Sequence, residues 1–460
     1  IEGLQKFEEI QGGLEGVVVG EIISCGPHPD ADRLKVTQVN LGGETVQIVC
    51  GAPNVNMGQK VMVATVGTNL HPNDGGTFKI KKAKIRGVES FGMICAEDEL
   101  GLGSSHEGIL ILPNETPVGI PAGQYYELYT DFQLEIGLTP NRCDAMGHIG
   151  VARDLKAFLN FHKNQNLSLQ LPDTVIENSE NKDTDSITIN IEDTELCPRY
   201  IGAILDNVKV QESPKWLKNR LKSIGLEPVN NVVDVSNFIM YEYGTPMHAF
   251  DRSRLGENII IKKADKGSLF KTLDGIERTL NGEELMITSE GKNLCIAGVF
   301  GGLDSGVSED TKSVFLESAI FNATSVRKTS KAHAIQTDAS FRFERGVDPT
   351  FTADAMHRAI SILEEITGAK LTMKPVVLDE FDSSEKIVTF SIDFLNQRLG
   401  TALTAKEVIS ILENLDFKCN LDSNNNIQST VPQYRIDVTR PEDILAEVLR
   451  IYGFNKVELP

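Results

Sequence analysis

Short runs of valine and isoleucine, each closed by glycine, asparagine or proline, set the pattern of residues 7–127. VVVGEII, LKVTQVNL, TVQIVCGA and VMVATV read as strands, because β-branched side chains suit a pleated, half-buried surface. Closely spaced strands with few helical stretches predict a small barrel. After the turn TPNRC, a helix-like stretch covers Asp144–Phe161, and the polar, acidic tract 172–186 predicts a linker.

From Ile187 the pattern is mixed. ITINIED and IGAILDNVKV read as strands, and Ser213-Pro214 predicts a helix start, with serine as N-cap, proline at the first helical position and Gly225 as the stop. Strands and turns continue to about Asp379, interrupted by a helix near Thr352–Thr367. The last stretch opens with strand IVTFSI, follows with a helix whose capping box is Thr404 with Glu407, and ends on an amphipathic helix, Glu442–Tyr452. The reading is a multidomain α+β chain divided as 7–127, 128–186, 187–380 and 386–460.

Composition narrows the chemistry. A chain of 460 residues is too long for one core. It starts at Ile1 without a methionine, and the expectation is a piece of a longer protein. No run reaches the length of a membrane span, and no signal peptide precedes the first strand. Seven scattered cysteines without a CxxC pair argue against a disulfide framework and a structural zinc site, so a cytoplasmic protein with reduced thiols is expected. The net charge of −20 opposes general adhesion to nucleic acid. One dense cationic run, KIKKAKIR, carries Lys79, Lys81, Lys82, Lys84 and Arg86. Such a run suits phosphate contacts, or equally a solvated strand edge where lysines discourage unwanted pairing.

Three features of the central region carry possible chemistry. GTPMHAFD sets His248 just past a Gly-Thr-Pro turn, as an imidazole presented from a loop. GVFGGLDSG brings Gly298, Gly301, Gly302 and Gly306, which permit close backbone approach to a ligand. Glu317, in VFLES, ends an apolar stretch where a carboxylate is costly without a partner. Each also has a plain structural reading: an exposed loop histidine, glycines at strand bulges, a solvated strand-end acid. The sequence holds no GxSxG, HExxH, P-loop or dinucleotide fingerprint.

Longer tracts carry a family resemblance. HPDADRLKVTQVN, GAPNV and SFGMICAEDELGL resemble, in order, the tRNA-binding oligonucleotide-binding (OB) fold. PVNNVVDVSNF, GTPMHAFD, GVFGG, FLESA and TDASFRFERGVD resemble the editing domain of the bacterial phenylalanyl-tRNA synthetase beta-chain family. VPQYRIDVTRPEDILAEVLRIYGF resembles the winged-helix-like module that follows it.

The resemblance implies an N-terminal OB-fold β-barrel binding tRNA(Phe), a helical segment with linker, a central mixed α/β editing domain and a C-terminal winged-helix-like α+β module. The family's later catalytic-like and anticodon-binding domains are expected to lie outside this chain. The implied activity is hydrolysis of mischarged Tyr-tRNA(Phe). The pocket falls on Asn237, His248, Gly301, Glu317, Thr337 and Ala339. Glu317 would accept the tyrosine phenol, while Gly301 and Ala339 leave room for the ring. His248, Asn237 and Thr337 would orient the ester and a water, with no covalent nucleophile. A second site of this kind answers a physical need, since a phenylalanine pocket rejects an added hydroxyl only about a hundredfold.

The family further implies an alpha-subunit partner, two alpha and two beta chains, ATP as substrate of the holoenzyme, and Mg2+ on Asp437, Asp443, position 446 and Glu447. Two positions depart from the family pattern: Glu227 stands where arginine is frequent, and Ala446 replaces a carboxylate. The alternative is a non-catalytic scaffold that binds tRNA and docks the alpha subunit.

Overall fold

A computed structural model describes residues 1–72, 75–174 and 186–457. Most of the tract expected as a linker, 172–186, lies outside them. The chain divides into two units, Ile1–Ile136 and Gly137–Pro460.

In the first unit, β1 (Val17–His28), β2 (Ala31–Asn40), β3 (Thr45–Cys50) and β4 (Lys60–Thr65) fall where the valine-rich runs predict them. A basic hairpin of β5 (Ala83–Ile85) and β6 (Val88–Ser90) follows, then β7 (Gly92–Ile94). The antiparallel order is β7-β4-β1-β2-β3. β1 pairs with both β4 and β2, and its register breaks after Ile22 and again after Pro27. Such bulges bend a strand and strengthen its twist, so the sheet curls. Its edges then meet: Phe91 N–H donates to the Gln47 carbonyl at 2.8 Å, and Val49 N–H to Ser90 Oγ at 3.1 Å. The sheet is barrel-like and nearly closed. β4 is buried on both faces, with Val61 and Val63 in one apolar cluster and Met62 and Ala64 in another.

The second unit opens with helix α1 (His148–Lys163). Its central part contains β8 (Thr188–Ile191), β9 (Arg199–Asp206), α2 (Lys215–Ser223), α3 (Asn231–Tyr243), β10 (Met247–Asp251) and β11 (Asn258–Lys263). Then come β12 (Leu285–Ser289), β13 (Lys292–Ile296), β14 (Phe300–Gly301) and β15 (Ser313–Ile320). Helices α4 (Ala323–His333), α5 (Asp338–Phe343) and α6 (Thr352–Thr367) lead to β16 (Lys370–Asp379).

These strands make two sheets, β10-β15-β9-β16 and β8-β11-β12-β13-β14. Side chains alternate along β15 and β9. Val314, Leu316, Ile201 and Ala203 pack with Leu217, Val235, Ile239 and Ile360 from α2, α3 and α6. Phe315, Ala319, Tyr200 and Ile204 instead join Ile259, Ile261 and Ile287 of the other sheet. One face of the first sheet is therefore covered by helices and the other by the second sheet.

The last part has β17 (Lys386–Ser391), α7 (Ile392–Leu399), α8 (Ala405–Asn414), β18 (Lys418–Leu421), β19 (Asn426–Val431) and α9 (Pro441–Tyr452), with strand order β17-β19-β18. The capping box at Thr404 and Glu407 forms as the sequence predicts. Helix α1 contributes Ala157 to this core. Its Arg153 lies between the rings of Phe351 and Tyr434, 4.6 and 3.9 Å from their centroids, and pairs with Asp348 at 3.0 Å. These contacts fasten α1 to the central and the last part alike.

Two local expectations change. Ser213 does not cap α2; Pro214 holds the N-cap position, and Ser213 donates its hydroxyl to buried Asp234 at 2.5 Å. The tract after Pro228, rich in turn formers, is mostly helix α3. Asn230 caps it by accepting from Val232 N–H and Val233 N–H, and Val232, Val235, Ile239 and Tyr243 then face the core at helical spacing.

Candidate functional site

The space between the two central sheets collects most of the candidate residues. Glu317 lies within β15, directly opposite His248 of β10 on one side and Gly202 of β9 on the other. The sequence suggests a strand-end glutamate and a loop histidine. Both instead sit within adjacent strands, directly paired in one sheet, where cross-strand side chains are in reach of each other. Extended pairing continues past the Gly-Thr-Pro turn because MHAFD keeps the alternation that buries Phe250 and Ala249 on opposite faces.

Glu317 is 5% exposed, and its Oε2 accepts the phenol of fully buried Tyr200 at 2.7 Å. Burial pushes its carboxyl up to about 8, and the Tyr200 hydrogen bond reverses only part of that. Burial pushes the His248 imidazole the other way, down to about 4. Both groups are thus mostly uncharged at neutral pH. His248 Nε2 is enclosed without a hydrogen-bond partner among the described residues, and the ring stands edge-on to Phe250 with centroids 4.4 Å apart. A buried nitrogen with nothing to bond is costly, and it marks a place where a ligand atom gains by arriving.

Gly301 closes against this imidazole. A β-carbon there would stand 2.8 Å from His248 Cε1 and 2.9 Å from Leu273 Cδ1, so no larger residue fits without a shift. Thr337 is the N-cap of α5. It accepts from Ser340 N–H at 3.0 Å and donates to the Val299 carbonyl at 2.9 Å, which ties α5 to the glycine turn. Ala339 packs at the edge of the same core. Thr337 therefore has a structural duty and makes no hydrogen bond to Glu317 or His248. Asn237 comes from α3, on the helix-covered face, and likewise makes no hydrogen bond to Glu317 or His248 among the described residues. Glu227 is exposed between α2 and α3.

Sequence reasoning overlooked Tyr200. The signal was present: a tyrosine in the otherwise apolar strand YIGAIL needs a partner for its hydroxyl once buried.

The three carboxylates expected to hold magnesium do not fit that role in this chain. Asp437 accepts from Arg435 at 3.0 and 2.9 Å and from Asn141 at 2.9 Å. Glu447 accepts from Arg435 at 2.7 Å and from Arg450 at 2.8 Å. Burial alone would raise its carboxyl, yet the bond and charge of Arg435, helped by Arg450, hold it down at about 2. Asp443 serves the start of α9, accepting from Thr439 N–H at 3.0 Å and Arg440 N–H at 3.1 Å. Ala446 is exposed and supplies no ligand. Among the described residues, no group of three or more His, Cys, Asp or Glu side chains is placed to hold a metal ion. The guanidinium of Arg435 already supplies the positive charge these oxygens would seek from a cation.

On the barrel-like sheet, Lys79, Lys81, Lys82, Lys84 and Arg86 are all exposed. Lys82 pairs with Glu89 at 2.9 Å and lies 4.7 Å from the Phe91 ring centroid. Beside this run is a groove of about 470 Å³, lined in part by Phe78, Ile80, Lys81 and Ile85 and, on the acidic side, by Glu99 and Glu107. Phe78 is 55% exposed, an aromatic face open to stacking.

All seven cysteines are unpaired, and no helix among the described residues is long and apolar enough to cross a membrane.

A barrel-like sheet with a basic hairpin, a double-sheet body around a buried acid, and a small helical module follow one another along the chain. Family models match each part in turn: a tRNA binding domain over 17–121, the B3/4 domain over 196–368 and the tRNA synthetase B5 domain over 388–454. Along its whole length the chain is strongly homologous to the phenylalanine–tRNA ligase beta subunits. It is 46% identical over 460 residues to that of Bacteroides fragilis, covering 100% of this chain and 56% of the relative. With the Geobacillus kaustophilus subunit it shares 40% over 462 residues, covering 99% and 56%. It therefore spans a little over half the length of these relatives. A solved N-terminal fragment of the Pyrococcus horikoshii phenylalanyl-tRNA synthetase beta subunit covers 71% of this chain and 87% of its own, at 18% identity and a TM-score of 0.36.

Proposed function

We propose that this chain is the tRNA-binding and proofreading part of a phenylalanine–tRNA ligase, whose alpha subunit charges tRNA(Phe) with phenylalanine at the expense of ATP. In this reading the barrel-like sheet is an OB-fold that meets tRNA through Lys79, Lys81, Lys84 and Arg86. The double-sheet body of residues 187–380 is an editing domain, and residues 386–460 form a winged-helix-like module. The chemistry of this chain is hydrolysis of Tyr-tRNA(Phe).

One observation carries the reading: among the described residues, Glu317 is buried without a cation and hydrogen-bonded only by a neutral phenol, beside an imidazole nitrogen that has no partner. That arrangement suits a second phenol. A tyrosine hydroxyl would bond to Glu317 and to His248 Nε2, while a phenylalanine ring would leave both unpaired. Exclusion by unmet hydrogen bonds is far stronger than exclusion by size. His248 belongs to the phenol end in this arrangement, rather than to the ester. Catalysis then rests on positioning the ester for water, as no activated nucleophile accompanies the pair.

The test compares deacylation of Tyr-tRNA(Phe) by the full-length ligase with that of its Glu317→Ala variant. The expected loss is about tenfold to a hundredfold, the worth of a hydrogen bond to a charged or strongly polar group. Negligible hydrolysis by both proteins would favour the scaffold reading, to which Glu227 and Ala446 lend weight.

A further inference from the structure

Tyr200 lies within the B3/4 match but outside the short tracts that carry the resemblance and outside every residue assigned above to the substrate. It is fully buried on β9, and its hydroxyl reaches Glu317 Oε2 at 2.7 Å. Glu317 Oε1 accepts no hydrogen bond among the described residues. The two oxygens of one carboxyl group are thus distinct before any ligand enters. Gly202, two residues after Tyr200, faces Glu317 across the strand pair. A β-carbon there would stand 2.5 Å from the Phe315 ring, so β9 and β15 pack tightly around the carboxyl.

Resting on the editing reading, we propose that Tyr200 is the positioning residue for substrate selection: its phenol fixes the Glu317 carboxyl through Oε2 and leaves Oε1 as the oxygen that hydrogen-bonds a tyrosine hydroxyl. A carboxyl held on one side cannot rotate to satisfy itself when a phenylalanine ring enters. The unmet oxygen then opposes the wrong ligand, and the fixed oxygen meets the right one in a single orientation. Selectivity is therefore built from two phenols on one acid, one belonging to the protein and one to the substrate. The titratable groups around Glu317 are few. Tyr200 comes from β9, His248 from β10, Cys295 from β13, and Cys197 from the turn before β9. Of these, Tyr200 alone hydrogen-bonds the carboxyl.

The experiment measures kcat/KM for deacylation of Tyr-tRNA(Phe) and Phe-tRNA(Phe) between pH 6 and 9, using the full-length ligase. Wild type is compared with Tyr200→Phe, Glu317→Gln and the double variant, with thermal unfolding of each. Tyr200→Phe removes one oxygen and no packing volume. It should lower the Tyr-to-Phe preference about tenfold, and move the Glu317-dependent limb of the pH profile upward, because a bond that favours the carboxylate is gone. In the Glu317→Gln background the same substitution should change the preference less than about twofold, the signature of a coupled pair. Should Tyr200→Phe unfold, 3-fluorotyrosine at position 200 keeps the shape and makes a stronger donor, and it should move the limb downward.

Unchanged preference and profile in Tyr200→Phe, or an equal loss with and without Glu317, overturns this inference alone. A wild type that hydrolyses no Tyr-tRNA(Phe) overturns it together with the editing reading.

Discussion

Glu317 and Glu447 are both buried, 5% and 2% exposed, and their chemistry runs in opposite directions. Glu447 sits among the guanidinium groups of Arg435 and Arg450 and stays charged down to about pH 2. Among the described residues Glu317 accepts a hydrogen bond only from a neutral phenol, and it holds its proton up to about pH 8. Burial is common to both, so partners decide the outcome. A saturated acid fastens one element to another, whereas a half-satisfied acid has binding capacity left. The same distinction explains why the C-terminal carboxylates, although acidic and close in sequence, do not make a cation site.

The strongest way to break this comparison is to strip Glu447 of its partners. Arg435→Met combined with Arg450→Met should destabilise the protein by about 3–5 kcal/mol in urea unfolding, the cost of leaving a buried charge unpaired. A loss under about 1 kcal/mol would show that the arginine clamp does not differ from an ordinary surface pair.

pH separates the two acids by sign. The Glu317 carboxyl is raised from 4.5 to about 8 in the fold, so the native state holds a proton that the unfolded chain releases. Stability should fall as pH rises through that window, by a few kcal/mol at about 1.4 kcal/mol per pH unit. Glu317→Gln should flatten this slope. Glu447 is lowered from 4.5 to about 2, so its contribution is complete above 4.5 and lost as pH falls toward 2. Unfolding curves of wild type, Glu317→Gln and Glu447→Gln at pH 3 to 9 check both signs. Equal slopes for wild type and Glu317→Gln between pH 5 and 8 would remove the contrast.

The smallest effect concerns charges that are not buried. Lys84→Ala on the barrel hairpin should leave stability within about 0.5 kcal/mol, while lowering the salt slope of tRNA binding by about one. An unchanged slope would move the tRNA contact away from this hairpin.

Local structure was legible wherever neighbours in sequence decide it. The barrel strands, the helix Thr352–Thr367 and the capping box at Thr404 and Glu407 follow from β-branched runs, helical spacing and short-range hydrogen bonds. Helix α3 is encoded in the spacing of Val232, Val235, Ile239 and Tyr243, but the flanking glycine, proline and asparagine residues mask that periodicity with a turn-like composition. Of the six residues the resemblance implies for the pocket, His248, Gly301, Thr337 and Glu317 lie along one connected path. That path runs from the α5 cap through the Val299 turn to the β10–β15 pair.

Charge, family and the identities of the polar residues were determined by the sequence alone. Which oxygen has a partner was decided by tertiary structure. Antiparallel register sets His248 beside Glu317 and Tyr200 across from Ala319, and those pairings join positions 69 and 119 residues apart. No local pattern encodes such a distance. The protonation of a buried acid depends on what the fold brings to its two oxygens: a phenol for Glu317, two guanidinium groups for Glu447.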